Sequence, residues 1–165
     1  MCIIKRYKYT SMKNTTLFKR KQHDMRMSSQ FTVSVQTLML ISHFSETKMT
    51  SEMISESTGA NPVLIRQIFG KLKAAGILNV STGRGVTSLA KDPSQISLWD
   101  IYLAIEGYDS EELFKFHPNI SESCQVGRFF KEILSVHLDE AICAMAEKMS
   151  EVSLGQLLDE WEAVQ

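Results

Sequence analysis

Apolar residues recur at helical spacing near the start of the patterned part of the chain, where they predict an amphipathic helix over residues 31–45. A short second helix is predicted after a polar connector. Thr50 or Ser51 can cap its first turn, and Gly59 ends it because glycine readily adopts the left-handed conformation found at helix C-termini. The residues that define the first helix are Phe31, Val35, Leu38 and Met39.

The third predicted helix has the sharpest local signal in the sequence. Asn61 is a strong helix cap, and Pro62 at the first helical position forfeits no hydrogen bond that the helix could make. We expect the helix to run to Ala75 and to stop at Gly76. Two helices joined by a tight turn at residues 59–61 form a helix-turn-helix unit.

A β-hairpin is predicted next, with strands at 77–80 and 86–89 and a turn at 81–85. Ser97 with Asp100 three residues later resembles a capping box, which marks the start of a fourth helix. The hairpin directly after a helix-turn-helix unit is the wing of a winged-helix domain.

The last part of the chain is predicted to be helical. Residues 123–149 contain no proline and keep an apolar stripe, and such a long helix commonly serves for dimerisation. A short final helix is capped by Ser153 and ends near Trp161. The fold class is therefore mainly α with a small β-hairpin wing: a winged helix-turn-helix DNA-binding domain plus a long dimerisation helix.

Charge changes the picture in one window of the chain. Between Ser57 and Lys91 there are five basic residues and no acidic one, although the whole protein has a formal net charge of −1. A positively charged helix followed by a positively charged hairpin is what a winged helix-turn-helix presents to DNA phosphates. The five residues are Arg66, Lys71, Lys73, Arg84 and Lys91.

The N-terminal end is also basic, since residues 1–27 hold eight lysines and arginines against one acidic residue, Asp24. Two interpretations stay open. This segment is either a disordered or non-native extension, with Met27 opening the domain, or an arm that adds nonspecific phosphate contacts. We divide the chain into an extension at 1–26, a winged helix-turn-helix DNA-binding domain at 27–107, and a sensor loop with dimerisation helices at 108–165.

Composition excludes several other classes of protein. No apolar run approaches the roughly 20 residues that span a bilayer, and the basic start lacks the apolar centre of a secretory signal. Three scattered cysteines are too few for a disulfide framework, which favours a cytoplasmic protein. We find no phosphate-cradling glycine loop, no paired histidines at zinc spacing and no nucleophile with a recognisable partner, so we do not expect an enzyme or a metal site.

Three segments, in this order and spacing, resemble one known family. Because of these segments, residues 31–107 and the long helix after them resemble the Rrf-two family of bacterial winged-helix regulators. This is the family of IscR, NsrR and CymR. The resemblance implies a homodimer that binds a partly palindromic operator in double-stranded DNA, usually as a repressor. The segments are Gly59 with Leu72-x-x-Ala75-Gly76-Ile77-Leu78, the wing Ser81-Thr82-Gly83-Arg84-Gly85, and Ile96 to Ile101 ending in Glu106-Gly107.

Several members of that family hold an iron–sulfur cluster with three cysteines before the long helix. Here Cys124 is the one cysteine between Gly107 and Lys131, and with His117 it cannot replace that set. We therefore expect a cofactor-free member, controlled by a small ligand, a partner protein or a thiol. Cys124 and His117 are the candidate sensor residues, because a helix N-terminus and Arg128 one turn on both favour a thiolate. The alternative is a half-buried cysteine that merely starts a helix.

Residues at the start of a recognition helix reach base edges in the major groove. Arg66 can bond the O6 and N7 atoms of guanine, Gln67 can pair with adenine, and Val63 can touch a thymine methyl group. The alternative is that these side chains form only the solvated face of an amphipathic helix. The other residues that we assign to DNA are Thr50, Ser51, Asn61, Pro62, Lys71, Arg84 and Gly85.

These other residues have plainer alternatives. Arg84 between two glycines suits insertion into the minor groove, or it is an ordinary hairpin tip. Thr50 and Ser51 can bind phosphate, or act only as helix caps, and Lys71 meets phosphate or solvent. For the whole chain, the leading hypothesis is a dimeric, sequence-specific transcriptional repressor. The alternative function is a winged-helix module for protein association without sequence-specific DNA binding.

Overall fold

The computed structural model describes two compact units of the chain. The first unit contains residues 28–107 and 148–165, and the second unit contains those between 113 and 147. Within these parts no helix is long and apolar enough to cross a membrane. The described residues are 28–80, 86–107, 113–114, 116–121 and 123–165.

The first unit begins with three helices: α1 at Ser29–His43, α2 at Ser51–Thr58 and α3 at Pro62–Ala74. Their ends follow the local signals in the sequence. Gly59 after α2 has a φ of 69°, in the left-handed region that a side chain would strain. The chain leaves α3 at Gly76, which has a φ of 68° for the same reason. The helix-turn-helix arrangement is therefore confirmed.

The wing is a two-stranded antiparallel hairpin, shorter than predicted. Strand β1 is Leu78–Asn79 and strand β2 is Ser88–Leu89, with Leu78 opposite Leu89. One further backbone hydrogen bond, from the N–H of Ala90 to the carbonyl of Ile77, extends the pairing. The predicted turn at 81–85 lies outside the described residues.

A 3₁₀ turn at Pro93–Gln95 precedes α4 at Leu98–Glu106. The predicted capping box is present: the Ser97 hydroxyl accepts from the Asp100 N–H, and the Asp100 carboxylate accepts from the Ser97 N–H at 3.0 Å. The φ of Gly107, at the end of α4, is 75°. The 3₁₀ turn was not predicted, since Asp92 and Pro93 indicate only a break in the helical pattern.

The final helix, α6 at Leu154–Glu162, belongs to the first unit by its contacts. The Leu154 N–H donates to the Ile96 carbonyl at 2.8 Å, and the Leu98 N–H donates to the Val152 carbonyl at 2.9 Å. This backbone pairing joins the start of α6 to the segment before α4, and α6 also packs against α1. The sequence interpretation had grouped α6 with residues 108–165. The fully buried side chains that form the core of this unit are Leu38, Ile41, Ile54, Ile65, Ile68, Leu72, Leu78, Ile96, Ile101, Ile105 and Leu154.

The second unit is dominated by α5, a 26-residue helix at Gln125–Ser150 whose last residues belong to the first unit. At a rise of 1.5 Å per residue, such a helix is about 39 Å long. Its position agrees with the predicted long helix at 123–149. Several of its large apolar side chains are exposed.

Candidate nucleic-acid interface

The recognition helix α3 has two clearly different faces. Its inner face is fully buried and anchors the helix in the core through Ile65, Ile68 and Leu72. Its outer face presents Val63, 54% exposed, with Arg66 and Gln67 also exposed. The three side chains that we assigned to base edges thus share one accessible face of one rigid helix.

Arg66 is held by a carboxylate from the neighbouring helix. Its Nη2 atom donates to Glu52 Oε1 at 2.6 Å, and the Ser51 hydroxyl donates to Glu52 Oε2 at 3.1 Å. A backbone hydrogen bond at the start of α2, then Arg66, then Ser51 hold the pKa of Glu52 below its usual value. Because a guanidinium has five N–H donors, this pair fixes Arg66 while leaving donors for a base edge.

Thr50 and Asn61 cap the two helices of the unit. The Thr50 hydroxyl oxygen accepts from the Met53 N–H at 3.3 Å, and Asn61 Oδ1 accepts from the Val63 N–H at 2.8 Å. Pro62 occupies the first turn of α3, as predicted. Both caps retain side-chain hydrogens that can donate to a phosphate oxygen. Ser51 differs, because its side chain is buried and its hydroxyl is committed to Glu52.

The structure gives Lys71 a role different from the predicted contact with DNA. Its half-buried amine donates to Gln30 Oε1 at 3.0 Å and to the Ile105 carbonyl at 2.7 Å. Ile105 lies at the end of α4, where a helix has carbonyls without partners and favours positive charge. Lys71 therefore ties α3 to α1 and α4, and its predicted contact with phosphate would require the amine to leave these partners. Arg84 and Gly85 of the wing lie outside the described residues.

The candidate sensor residues belong to the second unit. Cys124 is exposed and directly precedes α5, where the N–H groups of Gly127 and then Val126 lower the pKa of its thiol. An added Cβ at Gly127 would lie 2.5 Å from the Ser121 carbonyl oxygen, so this turn needs glycine. His117 is engaged separately, because its Nδ1 accepts from the Asn119 N–H at 3.2 Å.

The family model of Rrf2, described as an iron-dependent transcriptional regulator, matches residues 27–160 of this chain. This match covers most of the sequence, including every described element except the last residues of α6. The chain belongs to the Rrf2 family. Rrf2 and Rrf-two are two spellings of one family name, so the resemblance seen in the sequence is confirmed.

One relative and two solved structures are similar to this Rrf2 protein. YwnA of Bacillus subtilis (strain 168), whose name assigns it to the HTH-type transcriptional regulators, is 34% identical over 133 residues, 81% of this chain and 97% of YwnA. A crystal structure described as a DNA-binding protein is 30% identical, with a TM-score of 0.63, and covers 78% of this chain and 98% of its own. The structure of T. potens IscR shares the fold, with a TM-score of 0.57 at 22% identity, covering 85% and 90% of the two chains.

The iron that the family description implies finds no matching donor set among the residues of this Rrf2 chain that the structure describes. Iron–sulfur clusters are held mainly by thiolates, and the sequence has three cysteines in all. Cys124 is the free cysteine of the described residues. Nor do those residues contain a group of three or more histidine, cysteine or acidic side chains placed to bind a metal ion.

Sequence reasoning missed Glu52 as the partner of Arg66 in this candidate interface. Its partner Arg66 lies 14 positions away in the sequence, across the turn. A pair in which one residue lies near the start of each helix of a helix-turn-helix unit has no periodic spacing that would reveal it. The acid at the start of α2 and the base in the second turn of α3 were the available signal.

Proposed function

We propose that this Rrf2 protein is a dimeric, sequence-specific DNA-binding repressor whose α3 enters the major groove. The exposed face of α3 carries the proposal, because Val63, Arg66 and Gln67 point outward while the opposite face is fully buried. A rigid helix with guanidinium, amide and methyl groups on one accessible face matches the chemistry of base-edge recognition. Such a protein acts in the cytoplasm, where promoter DNA is found.

In this proposal the remaining contacts position the helix on the duplex. Thr50 and Asn61 donate to phosphate oxygens on either side of the turn, and Pro62 shapes the start of α3. Arg84 and Gly85 of the wing follow the adjacent minor groove. Arg66 bonds guanine and Gln67 bonds adenine, so that substitution of either changes base preference rather than general affinity.

The apolar surface of α5 supports a homodimer with a partly palindromic operator. Five large apolar side chains repeat along the helix and are between 43% and 73% exposed in the protomer. A monomer that left such a stripe in water would lose the free energy of burying it, and a second copy of the same helix can cover it. The five side chains are Val126, Phe129, Phe130, Ile133 and Val136.

The signal that controls DNA binding in this proposal is a small ligand, a partner protein or modification of a thiol. The exposed Cys124, whose thiol pKa is lowered by two backbone N–H groups, supports the thiol as one route. Cys124 is the one cysteine between Gly107 and Lys131, which supports control without an iron–sulfur cluster.

Fluorescence anisotropy with the DNA upstream of its own gene tests the proposal directly. We expect binding at least about a thousandfold tighter than to a scrambled duplex at physiological salt. Arg66→Ala should weaken specific binding by about five- to 150-fold and relax preference at one base pair. Arg128→Ala, an arginine of the second unit, is the matched control and should leave affinity unchanged. Equal, weak and salt-sensitive binding to both duplexes would favour the protein-association function instead.

Sedimentation equilibrium tests the homodimer. Ile133→Glu places a charge in the middle of the exposed stripe without touching the protomer core, since Ile133 is 63% exposed. We expect this variant to be monomeric at concentrations where the wild type is a dimer. Asp139→Lys, on the same helix but outside the stripe, should remain dimeric, and a dimeric Ile133→Glu variant would rule out this interface.

A further inference from the structure

A cavity of about 460 Å³ opens on the first unit between α1 and α6, with Ser57 of α2 in its wall. Its volume is within the range of roughly 300–1,000 Å³ that is typical of small-molecule sites. It is about three times larger than an engineered cavity of about 150 Å³ that takes up benzene. The space is open to solvent and has room for a molecule with two fused rings.

Aromatic side chains form one wall of the cavity. The His43 ring meets the Phe44 ring and the Trp161 ring edge to face, each with a centroid separation of 4.6 Å. Met39 adds a polarisable thioether, which packs well against aromatic rings. No lysine, arginine, aspartate or glutamate from the described residues lines the cavity. These walls favour a flat, neutral, aromatic ligand.

One polar group in the wall connects the cavity to the helix-turn-helix unit. The Gln36 side-chain amide donates from Nε2 to the Ser57 carbonyl at 3.1 Å, near the end of α2. Its Oε1 atom accepts no hydrogen bond from the part of the chain that the structure describes. An amide oxygen at the edge of an apolar cavity is a ready acceptor for a hydroxyl or amino hydrogen of a ligand.

We propose that this cavity binds a neutral two-ring aromatic molecule with one hydrogen-bond donor, and that binding alters α2 through the Gln36–Ser57 contact. Ligand binding to the cavity does not depend on the proposed function. Only the effect of the ligand on DNA binding rests on that function, because α2 supports the recognition helix α3. A ligand that bonds Gln36 changes the geometry of the contact that this side chain makes with α2. Occupancy of the cavity and affinity for DNA are then linked.

Calorimetric titration of the full chain with 2-naphthol, without DNA, tests the site. We expect a dissociation constant on the order of 100 µM. Met39→Trp fills the cavity and should weaken binding at least about tenfold, whereas Met53→Trp, at a 41% exposed methionine outside it, should not. Absence of binding by the wild type, or equal binding by both variants, would overturn the proposal.

A second variant covers the case in which Met39→Trp does not fold. Gln36→Met keeps a side chain of similar length and removes the acceptor, so 2-naphthol should bind about tenfold more weakly while naphthalene binds as before. Equal weakening of both ligands, or of neither, would show that Gln36 is not the acceptor.

Coupling is measured on the protein alone by amide hydrogen exchange. Saturating 2-naphthol should slow exchange in α2 relative to α4, and unchanged exchange in α2 would overturn the coupling. These two measurements need no DNA, so they succeed or fail independently of the repressor proposal. Fluorescence anisotropy with operator DNA then tests the link between the cavity and DNA binding. We expect 2-naphthol to change the DNA affinity of the wild type but not that of Gln36→Met. An equal change in both proteins would count against this link.

Discussion

Replacing Lys71 by methionine separates a structural role from a DNA contact. Methionine keeps the length and the apolar stem of the side chain and removes the amine, which donates to Gln30 Oε1 and to the Ile105 carbonyl. A hydrogen bond from a charged donor contributes about 1.5–3 kcal/mol, and the charge at the end of α4 adds about 0.3–1 kcal/mol. Since Lys71 is only half-buried, we expect a net loss of about 2 kcal/mol in the free energy of unfolding.

Urea unfolding measures this loss as a lower midpoint at an unchanged slope. For a chain of this size the melting temperature should fall by about 4–8 °C. Lys73→Met is the matched control on the same helix. Its exposed side chain should change stability by less than about 0.5 kcal/mol, while its DNA affinity falls modestly and the salt dependence decreases by about one phosphate contact.

The reasoning would be refuted by the opposite pattern for Lys71→Met. Unchanged stability combined with a weaker, less salt-dependent affinity for DNA would mean that the amine leaves its internal partners to reach a phosphate. In that case the first assignment of Lys71, made from the basic window alone, would be the correct one.

Three further predictions follow from single contacts. Thr37→Val should raise the free energy of unfolding by about 1 kcal/mol, because its buried hydroxyl has no partner among the described residues; Thr32→Val, at an exposed hydroxyl, is the control. Alkylation of Cys124 by iodoacetamide, followed by peptide mass spectrometry, should reach half its maximal rate at a lower pH than in the urea-unfolded chain, because the lowered pKa leaves more thiolate at neutral pH. The urea-unfolded chain should show the ordinary profile, and identical profiles would contradict the lowered pKa. Glu52→Gln should tighten DNA binding about threefold, because it releases Arg66 and removes a negative charge near phosphate. Weaker binding would mean that the carboxylate holds Arg66 in the position that binds DNA.

The helix-turn-helix unit could be predicted from the sequence because its signals are local. Asn61 and Pro62 fix the start of α3 within two residues, and the left-handed glycine Gly76 follows its end directly. The capping box at Ser97 is equally local, since both of its hydrogen bonds join residues three apart.

Long-range pairing accounts for what could not be predicted. Lys71 finds its partners 41 and 34 residues away, on α1 and α4, so its basic character alone suggested a phosphate contact. The cavity beside Trp161 is also invisible in the sequence, because α1 and α6 are separated by more than a hundred residues. Strand length was overestimated because apolar residues, Ile77 and Val80, flank the two paired positions of β1.

The backbone pairing of Ile96 and Leu98 with Val152 and Leu154 makes the DNA-binding unit discontinuous in sequence. The second unit is in effect an insertion between two parts of one domain. During synthesis, the buried site that receives Leu154 stays unfilled until α6 has left the ribosome, although α1 to α4 are synthesised long before. A fragment that stops after α4 would expose the Leu154 site to water. The protein therefore completes its DNA-binding unit only when the entire second unit has already been synthesised.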